Sequence, residues 1–313
     1  MTKVGVVIPL FNEVDIFDIL INRLIKLSKS PEVQFSFYLI DDGSSDATPD
    51  KIKEICLNNT SFSGIFLSRN FGHQSALSAG LSYALDSDYI FVLDADLQDP
   101  PELVYDMLKI ADRGFDVVYG IRRNRPEGFF LKISFFLFYR ILNWFSDRDF
   151  PTDAGDFCLM SRRAAEHISN LKEDGKYIRG LRHWIGFNQI GIEYNRAERA
   201  NGKTKYSLMN RFKFALDGIF SFTSYPTKLI FGLGVMTVLI SLFYFLQTLY
   251  KKIFLNEVAD GFTGIIFMII LFGGVQLVSI GILGEYLVRI FYQVKSRPSY
   301  IVKEIILNNS KVA

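Results

Sequence analysis

Cysteine and histidine are scarce in this 313-residue chain, with two of the first and three of the second. Cys56 and Cys158 sit in dissimilar contexts without metal-ligand spacing, so the chain reads as one that faces the cytosol with free thiols. His73, His167 and His183 have no partner at ligand spacing; each is expected to be structural or exposed, and none is a candidate base. Neither sign of charge dominates, with 35 basic against 33 acidic residues, so no global field draws the protein to nucleic acid. A G-x-G-x-x-G or Walker A loop follows none of the strands, which excludes a glycine cradle for a dinucleotide or ATP, and Gly232-Leu-Gly234 reads as helix packing inside an apolar run. Absence of a Ser-His-Asp arrangement or a nucleophile elbow argues against a hydrolase. The apolar stretch 4–11 is interrupted by Pro9 and reads as a first strand, not a signal peptide.

Apolar residues are unevenly spread. Up to about Asn210 they occur in short runs separated by Gly, Asp, Asn and Pro, whereas beyond Tyr225 they become almost continuous. Residues 229–250 and 262–284 each run at least 22 residues without a charge, enough at about 1.5 Å per residue to span a hydrocarbon core of about 30 Å. Soluble core helices, the competing reading, seldom reach that length without one charge. Lys203, Lys205, Arg211, Lys213 and Lys228 precede the first run, and Arg289, Lys295, Arg297 and Lys303 follow the second. The connection holds only Lys251 and Lys252, offset by Glu257 and Asp260, so the positive-inside rule places both flanks in the cytoplasm. The expected organisation is a cytoplasmic catalytic domain over 1–206, a juxtamembrane amphipathic helix over 207–228, a transmembrane hairpin over 229–288 and a cytoplasmic tail over 289–313. Gly273, Gly274, Gln276, Ser279 and Gly281 could pack hairpins together, so a homo-oligomer at the inner membrane is expected.

Strands are predicted at 5–8, 37–40, 64–67, 89–93 and 117–119, all apolar on both faces, which implies a parallel sheet covered on both sides. Helical patterns at 14–28, 46–57, 75–85 and 101–113 alternate with them, giving a doubly wound α/β domain. Ligands of such sheets gather beyond the carboxyl ends of the strands, and those ends are acidic here. Asp94 and Asp96 follow strand four as hard oxygen ligands suited to Mg2+ or Mn2+ on a diphosphate, with Gln98 adding a neutral oxygen. A solvated loop also produces D-x-D, but the position after a buried strand and before Pro100-Pro101 favours the metal reading. Asp41 and Asp42 could accept from the base or ribose of a nucleotide, or form an ordinary Asx turn before the next helix. Arg122, Arg123 and Arg125 follow strand five, where guanidinium forks suit phosphate oxygens, although a solvated basic loop is the plainer explanation. Residues 129–145 are aromatic and apolar yet carry Lys132 and Arg140, as an interfacial helix would; a buried core helix competes. Residues 208–222 form a second interfacial candidate.

Ile8-Pro9-Leu10-Phe11-Asn12-Glu13, Ile40-Asp41-Asp42-Gly43-Ser44, Ser68-Arg69-Asn70-Phe71-Gly72, the run Asp94-Ala95-Asp96-Leu97-Gln98-Asp99-Pro100-Pro101-Glu102, and Gly155-Asp156-Phe157 together resemble glycosyltransferase family 2. The most similar patterns are those of polyprenyl-phosphate glycosyltransferases, both bactoprenyl-phosphate glucosyltransferases and dolichyl-phosphate mannose synthases. The resemblance implies a GT-A fold, a divalent metal and inversion at the anomeric carbon. By motif position, Pro9, Phe11, Glu13, Asp41, Asp42, Asp94 and Ala95 would contact the nucleotide, while Asp94, Asp96 and Gln98 would hold metal and diphosphate. Asp156 falls where the catalytic aspartate sits. Arg122, Arg123 and Arg140 would grip the acceptor phosphate, with Lys203 and Lys205 nearby. Cys158 departs from a family that often has arginine after Gly-Asp-Phe.

The resulting expectation is transfer of a hexose, glucose from UDP-glucose first, onto a polyprenyl phosphate such as undecaprenyl phosphate, for cell-envelope glycosylation. Mannose from a GDP-sugar and aminosugars are alternatives. A phosphate monoester with a second pKa near ~6 is already largely ionised, so Asp156 is expected to be essential without having to be a base. A processive polysaccharide synthase is the rival enzyme, but Arg182-His183-Trp184 only approximates its Gln-x-x-Arg-Trp signature and two spans are too few to line a channel. A non-catalytic membrane scaffold is the rival of another class, and retention of every acidic motif speaks against it.

Overall fold

The computed structural model describes residues 1–122, 154–173, 176–195, 225–254, 261–307 and 309–311. These form two compact units, one holding the strands, including those after Ser296, and the other holding two long helices. Arg123, Arg140, Lys203, Lys205, the segment 129–145 and the juxtamembrane segment up to Tyr225 lie outside the described residues.

The first unit is built on a sheet of order β7-β5-β6-β4-β1-β2-β3-β8-β9. Its centre is parallel: β1 (Thr2–Leu10) pairs with β2 (Val33–Asp41) and β4 (Tyr89–Val92), and β2 pairs with β3 (Phe62–Leu67). Val4, Val6, Val7 and Ile8 are fully buried, as strands covered on both faces must be. Helices α1 (Val14–Leu27), α2 (Thr48–Asn58), α3 (His73–Tyr83) and α4 (Val104–Ala111) follow these strands in turn. In α1 the buried Ile16, Phe17, Leu20, Ile21, Leu24 and Leu27 recur at helical spacing and form one core-facing stripe.

The sheet departs from an all-parallel one at two places. Strand β6 (Ala154–Ser161) runs antiparallel between β4 and β5 (Val117–Arg122), and β7 (Gln189–Tyr194) extends β5 in parallel. Between them lie α5 (Arg162–Asn170), capped by Ser161 through its Ala164 N–H, and α6 (Ile178–Trp184). At the other edge β8 (Val302–Leu307) pairs antiparallel with β3, and β9 (Ser310–Lys311) pairs with β8. The segment read as a tail thus continues a helix to Lys295 and then rejoins the sheet. Its Val-Lys-Glu-Ile-Ile-Leu sequence carries two charges, as a strand near the sheet's edge tolerates and a buried parallel one does not.

The second unit consists of α7 (Tyr225–Phe254) and α8 (Phe262–Lys295), of 30 and 34 residues. At 1.5 Å per residue they measure about 45 and 51 Å, beyond the ~30 Å of a hydrocarbon core. Both are long and apolar enough to cross a membrane, over Gly232–Phe254 and Leu271–Lys295, and Phe243 and Leu277 are 70% and 72% exposed. Several of their hydroxyls bond within the helix: Thr237 donates to the Leu233 carbonyl at 2.7 Å, Ser241 to Thr237 at 2.8 Å and Ser279 to Val275 at 2.8 Å. Such back-bonding removes the cost of carrying a hydroxyl into hydrocarbon.

Candidate active site

The first two loops at the carboxyl edge of the sheet are stitched together. Asn12, at φ 54°, donates its N–H to Ser44 Oγ at 3.0 Å and accepts from the Ser45 N–H at 2.8 Å. Glu13 and Val14, at the start of α1, donate to Thr48 Oγ1 and Asp46 Oδ2 at 3.1 and 3.3 Å, so the second loop satisfies the first helix's open N–H groups. Gly43 has φ +66°, and a Cβ there would strike the Arg69–Asn70 backbone.

These ties separate the expected nucleotide contacts. Asp42 receives the Phe71 and Gly72 N–H groups at 2.7 and 2.9 Å, one on each carboxylate oxygen, and so anchors the loop before α3. Asp41 instead lines a cavity of about 200 Å3 together with Gly43, Ser44 and Arg69. Burial raises the pKa of both carboxyls, opposed by the Ser44 hydrogen bonds on Asp41 and the two backbone N–H groups on Asp42. Pro9 is buried within β1 and Ala95 is buried, whereas Phe11 is 37% exposed.

The centre of the site is a cluster of charges drawn from four segments. Asp94 follows β4, and left-handed Leu97, at φ 58°, bends the chain so that Gln98 donates its N–H to Asp96 Oδ1 at 3.1 Å. Asp156 enters from β6. His73, at the start of α3, lies with Nε2 3.6 Å from Asp94 Oδ1 and 3.7 Å from Asp156 Oδ2. Gln74 donates to Asp156 Oδ2 at 3.3 Å while its Oε1 accepts from the Ile178 N–H at 2.8 Å, and Arg179 Nη2 reaches the same Asp156 oxygen at 3.4 Å. Below them Arg182, 1% exposed, donates to the Gly155 carbonyl at 3.1 Å.

This packing sets the charge states. For Asp156, burial would raise the pKa, but Arg179, His73 and Arg182 overcome it and hold the carboxyl well below the usual range. For Asp94, burial outweighs the neighbouring His73 and, helped by Asp156, Asp99 and Asp96, lifts the pKa to about 6. Burial would lower the pKa of His73, yet its hydrogen bond to Asp156 and the charges of Asp94 and Asp156 raise it to about 9. A histidine of raised pKa stabilises the fold fully below its ordinary value and loses that contribution as the pH climbs through the folded one. Denaturant melts of the metal-free protein should therefore lose stability between pH 6.5 and about 9, and His73→Gln should flatten that slope. An unchanged slope in the variant would assign it elsewhere.

The histidine expected to be merely structural or exposed therefore sits at the centre of the site; His167 conforms, its ring lying 5.5 Å from that of Phe187. Each residue of Gly155-Asp156-Phe157 has a separate role. A Cβ on Gly155 would lie 3.2 Å from Arg122 Nη2, and Phe157 packs its ring 5.2 and 5.3 Å from those of Phe91 and Tyr194. Arg182, from α6, lies beside Cys158.

Arg122 reaches this end of the sheet already engaged. Its Nη2 is 3.6 Å from Asp99 Oδ2, its Nε donates to Tyr194 Oη at 3.4 Å, and Tyr194 donates to Asp99 Oδ1 at 2.5 Å. Asp99 is fully buried. The triad fixes the direction of the Arg122 guanidinium.

Whether these residues suit a divalent cation is answered by their open oxygens. Among the described residues no three His, Cys, Asp or Glu side chains form a ready metal cage. Asp94 Oδ1 and Asp156 Oδ1 are nevertheless buried and accept no hydrogen bond from the described residues, the signature of a position completed by a ligand or an ion. Asp94, Asp96 and Gln98 together would offer oxygen ligands of the kind that Mg2+ or Mn2+ accepts, so the residues fit.

The sequence pattern described as "Glycosyl transferase family 2" matches residues 5–169. Over 301 residues, covering 96% of this chain and 93% of the relative, the chain is 38% identical to "Uncharacterized glycosyltransferase YkcC" of Bacillus subtilis (strain 168). It is 32% identical over 303 residues to the "SfII prophage-derived bactoprenol glucosyl transferase" of Shigella flexneri, covering 96% and 98% of the two chains. Among solved structures it overlaps "Mannosyltransferase PcManGT from Pyrobaculum calidifontis in complex with GDP-Man and Mn2+" at a TM-score of 0.45 and 16% identity, over 64% of this chain and 57% of that one.

Proposed function

Because this chain belongs to glycosyl transferase family 2, we propose that it transfers a single hexose, with inversion, from a nucleotide sugar to a polyprenyl phosphate at a membrane surface, with UDP-glucose as donor. The α/β unit has the GT-A fold, and the chain is a glycosyltransferase. The observation that carries the reading is the charge cluster at the strand ends: Asp94 and Asp156 flank His73, and each keeps a buried oxygen open. A lipid acceptor and glucose are supported by relatives that share nearly the whole chain and bear the name bactoprenol glucosyl transferase.

In this reaction an acceptor phosphate oxygen forms a bond to the anomeric carbon as the bond from that carbon to the diphosphate oxygen breaks. The electron pair leaves with the nucleoside diphosphate. An acceptor with a second pKa near ~6 brings its own ionised nucleophile, so no proton need be removed at neutral pH. Asp156, held anionic by Arg179, His73 and Arg182, is suited to orient those donors and the sugar hydroxyls instead of acting as a base. A divalent ion held by Asp94, Asp96 and Gln98 would neutralise charge growing on the leaving diphosphate. Arg122, fixed by Asp99 and Tyr194, offers a guanidinium of set direction to a phosphate.

Both helices crossing one bilayer would return the chain to the side it left. Strand β8 supports this topology, because the segment after Ser296 rejoins the sheet that the preceding residues build. Purified full-length protein in detergent, given undecaprenyl phosphate and a panel of UDP- and GDP-sugars, should form a lipid carrying one glucose from UDP-glucose. A polymer, or the absence of any glycosylated lipid, would defeat the reading.

A further inference from the structure

Strand β8 reaches further than sheet completion. It runs antiparallel to β3 with Glu304 opposite Phe66 and Val302 opposite Leu67, so its first residues lie at the carboxyl end of β3, where ligands of such sheets gather. Ser68 donates its N–H to the Ile301 carbonyl at 2.9 Å and fixes that entry. The cavity of about 200 Å3 that Asp41 lines has Lys303 and Glu304 in its lining as well. Resting on the nucleotide-sugar reading, we infer that Lys303, beyond the second apolar helix, contacts the nucleotide's base held in this cavity and that Glu304 positions Lys53 beside it.

The chemistry of the walls identifies the occupant. Whole ligand sites measure roughly 300–1,000 Å3, so this cavity suits one moiety of a nucleotide sugar and not the entire molecule. The lining sets the carboxylates Asp41 and Glu304 beside the cations Lys53, Arg69 and Lys303, a mixed set that offers both acceptors and donors to a polar ring. A planar heterocycle offering a ring N–H to Asp41 and carbonyl oxygens to neighbouring cations matches the set, and Phe66 adds an apolar surface. Glu304, with its side chain 14% exposed, acts at one remove. Its Oε2 is 3.2 Å from Lys53 Nζ and its Oε1 3.0 Å from Lys311 Nζ, while Lys53 Nζ sits 5.3 Å from the Phe66 ring centre. The returning strand thereby holds Lys53 against the aromatic wall.

The test is calorimetric titration of the full-length protein with UDP, GDP and, as a probe without a base, inorganic pyrophosphate. Lys303 is exposed, so Lys303→Ala should fold normally, which a thermal melt verifies. Loss of one polar contact should weaken the preferred nucleotide about three- to tenfold and leave pyrophosphate unchanged. Glu304→Gln, which releases Lys53, should act in the same direction. Wild-type affinity for the nucleotide in both variants would overturn the inference and leave the proposed function standing. A parallel loss of pyrophosphate binding would make Lys303 a phosphate contact and overturn the base assignment. Wild-type protein that binds pyrophosphate but neither nucleotide would remove the nucleotide-sugar reading and the inference with it.

Discussion

Asp156→Asn is expected to lower kcat by about 10²–10³-fold, the usual cost of deleting one preorganised electrostatic group. Asparagine preserves the shape and can still accept from Gln74, which donates to Asp156 Oδ2 at 3.3 Å. What disappears is the negative charge between His73, at 3.7 Å, and Arg179, at 3.4 Å. Both cations then lose the group that aims them, and the buried Arg182 loses its nearby countercharge. The melting temperature should fall as well, because removing one member of a buried charge cluster leaves the others uncompensated. Turnover must therefore be read at a temperature where the variant is folded. Since the Asp156 carboxyl lies well below the ordinary range, the rate–pH profile of the wild type should show no acidic limb from it near neutrality. Near-wild-type turnover in the variant would take Asp156 out of the mechanism.

Asp96→Ala should weaken metal-dependent donor binding by about 10²-fold or more, because a bound cation contributes several kcal/mol of charge stabilisation and each 1.4 kcal/mol is tenfold. Chelation of the wild type by EDTA should have the same effect on nucleotide binding, and readdition of Mn2+ or Mg2+ should reverse it in the wild type alone. Asp96 is the sharper choice of the two aspartates. Asp94 also borders His73 at 3.6 Å and its replacement would disturb Asp156 as well, whereas Asp96 is tied locally to the Gln98 N–H at 3.1 Å. Unchanged calorimetric affinity in Asp96→Ala would place the metal on other residues.

How much of the site could be read before folding depends on chain distance. The acidic strand ends were legible because each is local: an apolar strand followed within a few residues by Asp41-Asp42 or Asp94-Ala95-Asp96 announces its own position at the sheet's ligand edge. Gln74 and Asp156 meet across 82 residues, and Tyr194 and Asp99 across 95, so no window along the chain signals either pair. His73 escaped for the same reason. Its spacing to other histidines says nothing of two aspartates brought up by β4 and β6. The roles of Asp41 and Asp42 were likewise inseparable in sequence, since only the packing of the loop before α3 assigns Asp42 to backbone N–H groups.

The fold divides in the same way. Composition by itself determined the α/β domain, its buried parallel centre and the two long apolar helices, because burial on both faces and a charge-free stretch of helix are properties of consecutive residues. Only the tertiary structure decided that β6 runs antiparallel through the sheet and carries Asp156 into the cluster, and that the residues after Lys295 return as β8. Strand order is fixed by which edges find hydrogen-bonding partners, and that choice belongs to the assembled sheet rather than to any one segment.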